Sequence, residues 1–309
     1  MKIMVTGGAG FIGSHLTRRL IDEGHKVVVV DDLSNGYREN VPKDAEFLEL
    51  DLSSERLYDS LPTDVEVVYH LASQASGEIS CEDPVHDLKA NCLATLAILQ
   101  WSKKNDVMKF IFTSSMGVYA DQLGYAAVET SPLEPKSFYG VNKLASEKFI
   151  RIFSEEGMRT TVFRFFNVYG PGQNMENLKQ GMVSIYMSYV LNDQPVCVKG
   201  PLDRTRDFTY ISDVVEALYL GLNEAADGKL FNVCTGRELP VKEVLNVVFN
   251  AFDVGPEYPV EIYSRTPRDI DQSCGDYSEI QASLGWKPKV RFEDGVKSMS
   301  NWLKGEVSK

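Results

Sequence analysis

A tyrosine and a lysine four residues apart, Tyr139 and Lys143, are the side chains of this sequence best suited to moving a proton. On a helix, positions i and i+4 share a face, so the Lys143 ammonium can lie near the Tyr139 phenol. A free tyrosine titrates near ~10, and a neighbouring cation lowers that pKa. Such a phenol can exchange a proton with an alcohol hydroxyl. Because Tyr-x-x-x-Lys is common in ordinary helices, a second motif has to support it.

A glycine-rich segment near the amino terminus is that second motif. Gly7, Gly10 and Gly13 give the spacing G-x-x-G-x-x-G. They directly follow a strand-like apolar run, 2–6, and precede a helical pattern and a second apolar run, 27–31. In this βαβ order the glycines let the backbone approach a pyrophosphate, and the helix amino terminus offers unpaired N–H groups. The segment therefore predicts a dinucleotide site.

Asp31, at the end of the second run, indicates which dinucleotide binds. It stands about 20 residues beyond the glycines, where a carboxylate accepts both hydroxyls of an adenosine ribose. The same charge repels a 2′-phosphate, and no arginine stands immediately beside it, so we expect NAD rather than NADP. Asp32 stands next to it. The alternative interpretation of two adjacent acids at a strand end is that both are only solvated.

Composition and charge limit the class of protein. The 309 residues are 43% hydrophobic and 25% charged, typical of a soluble globular protein with a sizeable core. No segment approaches the ~20 apolar residues of a membrane span, and the first strand leaves no room for a signal peptide, so we expect a cytoplasmic protein. The net charge of −12 argues against a nucleic-acid partner. The five cysteines lack C-x-x-C spacing and the four histidines are scattered, so we expect reduced thiols and no metal site.

Strand-like and helical patterns alternate through the first half of the chain. Further strands are expected at 65–70, 109–113 and 160–165, and long helices at 87–105 and 139–156. This alternation predicts an α/β fold, a Rossmann-type doubly wound parallel sheet that binds ligands beyond the carboxyl ends of its strands. After the last of these strands, glycine and proline punctuation and irregular patterns indicate a smaller, mixed α/β substrate-binding lobe.

Seven short segments carry a resemblance to a known family. They are residues 6–15, 31–36, 113–119, 139–143, 164–170, 206–208 and 284–288. Over nearly its whole length the chain resembles the extended short-chain dehydrogenase/reductases that act as NAD-dependent nucleotide-sugar epimerases and dehydratases, and the UDP-hexose 4-epimerases most. We expect two interleaved lobes: an NAD-binding domain at 1–167 and about 206–236, and a nucleotide-sugar-binding lobe at about 168–205 and 237–309.

The resemblance implies which residues contact the cofactor. The implied NAD-binding residues are Gly7, Gly10, Phe11, Ile12, Gly13, Asp31, Asp32, Ser34, Asn35, Gly36, Asp51, Leu52, Leu71, Ala72, Asn91, Ser114, Tyr139 and Lys143. Three of them have duller interpretations: Asn91 as a helix residue bonded to local backbone, Ser114 as the end of a strand, and Asp51 as a helix cap.

The residues after Ser115 limit the reaction that the resemblance implies. Dehydratases of the family carry an Asp-Glu pair directly after this serine or threonine, and decarboxylating relatives place a glutamate there, whereas this chain has Met116 and Gly117. Tyr139 and Lys143, with Ser115 sharing the hydrogen bond of the sugar hydroxyl, can only oxidise and re-reduce one carbon. This is 4-epimerisation of a UDP-sugar such as UDP-Glc/UDP-Gal. A nucleotide-sugar 4-ketoreductase or dehydrogenase, a dehydratase and a non-catalytic NAD-binding module stay as alternatives.

The resemblance also implies residues for the diphosphate of the nucleotide sugar. Arg206 matches an arginine whose guanidinium pairs with two phosphate oxygens, and Asn167 matches an asparagine that donates to the same region. A salt bridge of Arg206 with Asp203 or Asp207 is the alternative. Arg204 is a second candidate for the diphosphate.

The sequence Thr-Pro-Arg-Asp departs from the family pattern Arg-Pro-Gly-Asp. Thr266 takes the position of the arginine, so either Arg265 or Arg268 has to compensate. Asp269 still matches a residue at the uridine ribose. Ser273 falls where the family has a large tyrosine in enzymes restricted to plain hexoses. Because a small side chain leaves room for an acetamido group, we expect UDP-GlcNAc/UDP-GalNAc to be accepted as well.

The two long predicted helices carry apolar faces. These faces include Leu93, Leu96, Ala97, Trp101, Phe149, Ile152 and Phe153. Relatives pair such helices between subunits, so the resemblance implies a homodimer. Packing on the sheet of the same chain is the alternative, and helices of this length can do both.

Overall fold

A computed structural model describes residues 1–54, 57–121, 124–266 and 268–307, so Pro267 of the Thr-Pro-Arg-Asp sequence lies outside the described residues. The strands are β1 (Lys2–Thr6), β2 (Lys26–Asp31), β3 (Glu46–Glu49), β4 (Val67–His70), β5 (Lys109–Ser115), β6 (Arg159–Phe165), β7 (Asn167–Tyr169), β8 (Val196–Lys199), β9 (Thr205–Arg206), β10 (Phe208–Tyr210), β11 (Lys229–Val233), β12 (Leu239–Pro240) and β13 (Val260–Tyr263). The α-helices are α1 (Phe11–Asp22), α2 (Leu57–Ser60), α3 (Gly77–Glu82), α4 (Pro84–Asp87), α5 (Ala94–Lys104), α6 (Phe138–Glu155), α7 (Met182–Leu191), α8 (Ile211–Leu220), α9 (Val241–Ala251), α10 (Ser278–Leu284) and α11 (Phe292–Val307). A π-helical turn (Leu88–Leu93) joins α4 to α5, and short 3₁₀ helices lie at Arg38–Asn40, Met116–Val118 and Glu224–Ala226.

A parallel sheet of seven strands forms the centre of the molecule, in the order β11-β6-β5-β4-β1-β2-β3. The strand order reverses between β1 and β4, where Thr6 is paired with Val30 of β2 on one side and with His70 of β4 on the other. The carboxyl ends of the strands therefore meet at one edge, and ligands of such sheets bind in the crevice where the order reverses. The predicted doubly wound α/β fold is confirmed.

The unbroken apolar run of β2 reflects burial on both faces of the sheet. Val27 and Val29 pack into one hydrophobic cluster with α1 and α8, whereas Val28 and Val30 pack into another with α5 and α6. Successive side chains of a strand point to opposite faces, so a strand covered on both sides needs an apolar residue at every position.

A third hydrophobic cluster lies outside the sheet. It joins α7, α9 and α11 to β8 through side chains such as Met187, Val244, Val296 and Val198. Trp286, although it is close to the carboxyl terminus, belongs to the core beneath the sheet. The exact division of the chain into two lobes stays a prediction.

The helix expected at 87–105 differs most from the structure. It begins as α4 at Pro84, and the π-helical turn interrupts it before α5. The short edge strand β3 and the strand β11, which reaches the sheet from the second half of the chain, were not predicted. In the described ranges, no helix combines the length and the apolar character needed to cross a membrane.

Candidate active site

The glycine turn lies between β1 and α1 and leaves the amino terminus of α1 open. Gly7 has a φ of 71°, and a Cβ there would lie 2.6 Å from a backbone nitrogen of the segment after β4. A Cβ at Gly13 would lie 2.1 Å from the Gly7 carbonyl oxygen, so α1 can approach the turn closely. No side chain caps α1 at Gly10. The N–H groups of Phe11 and Ile12, in the first turn of α1, are thus available to an anion.

The Asp31 carboxylate holds this turn together. Its Oδ2 accepts a hydrogen bond from the Ala9 N–H at 2.9 Å, and its Oδ1 accepts one from the Leu33 N–H at 2.9 Å. Each oxygen keeps acceptor capacity for a ribose hydroxyl. Burial raises the pKa of Asp31, and the hydrogen bonds from Leu33 and Ala9 oppose that shift. An open helix terminus for a pyrophosphate and an acceptor for a ribose fit an NAD molecule.

The loop after Asp31 lies against the glycine turn. Asp32 and Ser34 are exposed, and the Ser34 hydroxyl donates to Asp32 Oδ1 at 2.6 Å. A Cβ at Gly36 would lie 2.7 Å from the backbone of the turn, so this position also requires close approach. The Asn35 side-chain amide donates to Gln180 Oε1 at 3.3 Å, which links the loop to the segment before α7.

Four other residues with predicted cofactor roles follow β3 and β4. Asp51 is exposed, and its Oδ1 accepts from both the N–H and the hydroxyl of Ser53 at 2.8 Å. Leu52 is buried. Leu71 and Ala72 continue from β4 beside the glycine turn, where their N–H groups bond to the end of β1. Contacts of these four residues with NAD stay predictions.

Tyr139 and Lys143 lie on one face of α6, whose first turn is capped by the Ser137 hydroxyl. The buried Lys143 ammonium donates to the Thr113 carbonyl at 3.0 Å and lies 5.8 Å from the centre of the Tyr139 ring. The Ser115 hydroxyl is a hydrogen-bond partner of the Tyr139 phenol. The fold thus brings the three predicted catalytic side chains together at the carboxyl end of β5.

The lowered pKa expected for the Tyr139 phenol is wrong in direction. Burial raises the pKa of Tyr139 to about 12; the hydrogen bond with Ser115 lowers it, and the charge of Asp87 raises it further. Burial lowers the pKa of Lys143 to about 7, although the charges of Asp87 and Glu147 raise it. Desolvation penalises the charged form of both groups and is the largest cause of both shifts.

Ser114, expected at the cofactor, uses its hydroxyl inside the protein. It is buried and donates to Glu147 Oε1 at 2.5 Å. The same carboxylate accepts from Arg164 Nε at 2.9 Å and from Arg164 Nη2 at 2.6 Å. Ser114 therefore joins the end of β5 to α6, in line with the duller interpretation, and a cofactor contact stays a prediction.

Asn91 lies in the π-helical turn and is buried. Its Oδ1 accepts from the Ser73 hydroxyl at 2.6 Å, and its Nδ2 donates to the Gln74 carbonyl at 3.0 Å and to Asp87 Oδ1 at 2.9 Å. The duller interpretation of bonds to local backbone is therefore wrong for its side chain. Asn91 fastens the segment after β4, which borders the predicted cofactor site.

A cavity of about 350 Å³ opens beside Ser115 and Tyr139. Five of the predicted site residues contribute to its wall: Ser115, Tyr139, Asn167, Arg206 and Asp269. Met116 and Gly117 line it next to Ser115. The size and position of the cavity suit a substrate that reaches from the phenol of Tyr139 to the two arginines that precede β10.

Both arginines of this cavity are held by one carboxylate. Arg206 Nη2 donates to Asp269 Oδ1 at 2.6 Å, and Arg204 Nη1 donates to Asp269 Oδ2 at 2.5 Å. Arg206 also donates to the Ile270 carbonyl at 2.9 Å. Because two guanidinium groups share one carboxylate, the cluster keeps a net positive charge in the wall of the cavity.

The alternative of a salt bridge from Arg206 to Asp203 or Asp207 is wrong among the described residues. The Asp207 carboxylate accepts from Thr235 Oγ1 at 2.6 Å and from backbone N–H groups instead, and Asp203 forms no ion pair with Arg206 there. Asn167 donates its side-chain amide to the Asp207 carbonyl at 2.9 Å and lines the cavity.

Of the two arginines that could replace the one missing at Thr266, only Arg268 lines the cavity. Its guanidinium lies 5.0 Å from the centre of the Phe138 ring, and its backbone has a φ of 64°. Arg265 instead pairs with Asp271 on an exposed surface. By its position in the cavity wall, Arg268 rather than Arg265 is the candidate to replace the missing arginine.

Ser273 does not lie where a direct contact with a sugar would require. It is fully buried and is not part of the cavity wall. Its hydroxyl donates to Met116 Sδ at 3.4 Å, and Met116 does line the cavity. Any influence of Ser273 on substrate size therefore acts through the position of Met116.

Several charged side chains of the cavity wall had no signal in the sequence. They form the ion pairs Glu78–Lys199 at 2.6 Å, Lys179–Glu82 at 2.6 Å and Lys136–Asp121. Glu78 and the three lysines line the cavity, but they come from segments far apart in the chain, so no spacing marks them. Among the described residues, no cluster of His, Cys, Asp and Glu could hold a metal ion.

Comparison with known proteins agrees with this geometry. The family model described as "NAD dependent epimerase/dehydratase family" matches residues 3–234. The chain is 33% identical over 304 residues to a UDP-glucose 4-epimerase of Mycolicibacterium smegmatis, covering 96% of each chain. It is 31% identical over 306 residues to UDP-glucuronic acid decarboxylase 6 of Arabidopsis thaliana, covering 97% of this chain and 88% of the relative. A UDP-glucose 4-epimerase of Thermotoga maritima, solved with UDP-glucose, superposes with a TM-score of 0.95 at 36% identity, covering 99% of this chain and 100% of that one.

Proposed function

Because this chain belongs to the NAD-dependent epimerase/dehydratase family, we propose that it catalyses the 4-epimerisation of a UDP-sugar through a transient 4-keto sugar. It is an NAD-dependent enzyme. When bound, NAD supplies the acceptor and donor of hydride. Relatives of similar identity carry out different reactions, so the choice among them has to come from the residues of this site.

The observation that carries the proposal is the wall beside Ser115. Met116 and Gly117 line the cavity there, and neither side chain can donate or accept a proton. The two acids among the described lining residues, Glu78 and Asp269, are both held by basic side chains. Elimination of water or loss of a carboxyl group needs an acid or base beyond Tyr139 at this point, so reversible redox at one carbon is the chemistry that remains.

In this proposal, Tyr139 takes the proton of the sugar 4-hydroxyl and later returns a proton to the 4-keto oxygen. The Ser115 hydroxyl, a hydrogen-bond partner of the phenol, shares the hydrogen bond of that oxygen. The Lys143 ammonium favours the phenolate that forms during transfer. Turning the 4-keto sugar over between the two hydride transfers inverts C4.

The arginine cluster supports a nucleoside diphosphate as the handle of the substrate. Arg204 and Arg206 line the cavity, and the planar fork of a guanidinium group matches phosphate oxygens. Asn167 and Asp269 lie beside them as further polar groups. UDP-Glc/UDP-Gal is the proposed pair, and UDP-GlcNAc/UDP-GalNAc is a second pair, if Met116 leaves room for an acetamido group.

The test is a product analysis with the four UDP-sugars. Purified protein is incubated with each one, products are identified by NMR, and the cofactor that copurifies is measured. We expect interconversion at C4, with bound NAD(H) and no net turnover of free nicotinamide. Stoichiometric consumption of free NAD or NADH would favour the 4-ketoreductase or dehydrogenase alternative, and loss of water would exclude the epimerase.

We also propose a homodimer formed through α4, the π-helical turn, α5 and α6. Leu93 and Ile152 are 47% and 52% exposed, and Leu88 nearby is 48% exposed. Trp101, in contrast, is fully buried in the core of its own chain. That part of the face therefore packs within the same chain, as the alternative interpretation expected. Light scattering of the wild type and of Leu93→Glu tests this: we expect a dimer that the charged variant converts to a monomer.

A further inference from the structure

The Asp87 carboxylate is fully buried next to α6, and among the described residues the side chains that donate to it are three amides. Gln74 Nε2 donates to Oδ1 at 2.6 Å, Asn91 Nδ2 donates to Oδ1 at 2.9 Å, and Asn142 Nδ2 donates to Oδ2 at 2.7 Å. These donors come from three different places: the segment after β4, the π-helical turn and α6. Within the described ranges, no lysine, arginine or histidine forms an ion pair with Asp87.

A buried carboxylate without a basic partner is costly unless a cation nearby compensates its charge. The cation in range is Lys143, the residue after Asn142, and the two groups influence each other's titration. The other carboxylate that acts on Lys143 is Glu147, which is already neutralised by the two bonds from Arg164. The charge of Asp87 is therefore the one left to balance the Lys143 ammonium.

We propose that Asp87 is a positioning residue of the catalytic pair: its carboxylate fastens Asn142, and with it Lys143, to the cofactor-side segment at Gln74, and it supplies the charge that keeps the Lys143 ammonium in place. This inference rests on the proposed function of Tyr139 and Lys143. It adds to that function a source of negative charge that opposes the lowering of the pKa of Lys143 by burial.

The charged and titratable groups around Lys143 come from three elements. Asp87 ends α4, Tyr139 and Glu147 belong to α6, and His70 ends β4. Burial lowers the pKa of His70 to about 3, so this imidazole is neutral and adds no charge near pH 7. Removal of Asp87 thus leaves Lys143 with only the carboxylate that Arg164 already holds.

The experiment follows the titration of Lys143 itself, by NMR of protein labelled with ε-¹³C-lysine, with Lys143→Arg used to assign the signal. In Asp87→Asn the amide of Asn142 can rotate to accept a hydrogen bond, so the cluster stays bonded while its charge is lost. We expect the titration midpoint of Lys143 to fall by about one pH unit or more. Where epimerase activity is present, the high-pH limb of the kcat–pH profile should move to lower pH by a similar amount.

Two further variants separate this role from a structural one. The exchange variant Asp87→Asn/Asn142→Asp returns one carboxylate to the same cluster and should restore the wild-type midpoint. Asp213→Asn is the matched control: Asp213 is a buried carboxylate on α8 that accepts from the Lys289 and Val290 N–H groups at 3.0 Å, and its loss should lower stability without moving Lys143.

The proposal is overturned if Asp87→Asn keeps the wild-type midpoint, if Asp213→Asn moves it equally, or if the exchange variant leaves the midpoint where Asp87→Asn placed it. If Asp87→Asn does not fold, the exchange variant decides alone: a folded protein with the wild-type midpoint supports the proposal, and a lowered midpoint overturns it. The NMR titration of Lys143 needs no catalytic turnover. A wild-type protein that does not epimerise UDP-sugars would refute the proposed function, but the effect of Asp87 on Lys143 could still be measured.

Discussion

The Lys143 Nζ atom lies 5.8 Å from the centre of the Tyr139 ring, beside the phenol rather than bonded to it. A hydrogen bond of 3.0 Å to the Thr113 carbonyl fixes this position at the end of β5. The ammonium is therefore close enough to act on the phenol through its charge. This relationship defines what each side chain of the pair should contribute.

Tyr139→Phe should lower kcat by about 10²–10⁴-fold, because the proposed acid and base of the reaction is lost. Substrate affinity should change little, since the ring remains in the cavity wall. Steady-state kinetics with UDP-Glc or UDP-Gal measures both quantities. Tyr189→Phe, at another tyrosine that lines the cavity, is the control and should keep most of its activity. Full activity of Tyr139→Phe would refute the assigned role.

Arg206→Lys should raise the KM for the UDP-sugar by about tenfold and change kcat less, because a lysine keeps the charge but loses the planar fork that matches a diphosphate. Arg265→Lys is the matched control: Arg265 forms an exposed ion pair with Asp271 outside the cavity, so its KM should stay at the wild-type value. A larger increase in KM for Arg265→Lys than for Arg206→Lys would show that the diphosphate does not bind at Arg206.

Ser273→Tyr should reduce the free energy of unfolding by about 1–3 kcal/mol, because Ser273 is fully buried and the larger ring overpacks its site. By displacing Met116 toward the cavity, it should also reduce turnover of UDP-GlcNAc more than that of UDP-Glc. Met116→Ala should shift the ratio of the two activities in the opposite direction. If both variants changed the turnover of UDP-GlcNAc and UDP-Glc equally, Met116 would not determine the size of the sugar that the site accepts.

His70 makes stability depend on pH. Its Nδ1 and Nε2 lie 2.8 Å from Thr6 Oγ1 and 3.0 Å from Thr95 Oγ1, and burial lowers its pKa to about 3 from 6.5. Between those values the unfolded chain binds a proton that the folded protein does not, so stability is lost as the pH falls from 6.5 toward 3. We expect about 1.4 kcal/mol per pH unit from this group. Urea unfolding at several pH values should show a smaller slope of stability against pH for His70→Asn than for the wild type.

Local patterns were sufficient for the fold class and for the shared helical face of Tyr139 and Lys143. The βαβ order around Gly7 and the spacing of Tyr139 and Lys143 depend on neighbours in the chain, so periodicity reveals them. The π-helical turn at Leu88–Leu93 could not be predicted, because the hydrogen bonds of Asn91 to the segment after β4 are made only in the folded chain.

The pKa values could not be predicted for a similar reason. Spacing places the Lys143 charge near Tyr139, but the degree of burial comes from all the elements packed around α6. Burial proved the larger effect, and it reversed the expected shift of the phenol. A sequence contains no direct measure of how much water a fold removes from a given side chain.

By itself, the sequence determined the doubly wound α/β fold class, the glycine turn with Asp31 and the shared helical face of Tyr139 and Lys143, because their signals come from residues that are close in the chain. Only the tertiary structure decided that Asp269 holds both arginines, that Met116 stands between Ser273 and the cavity, and that Asp87 is buried beside α6. These are contacts between segments far apart in sequence, and packing, which depends on the whole chain at once, is what selects them.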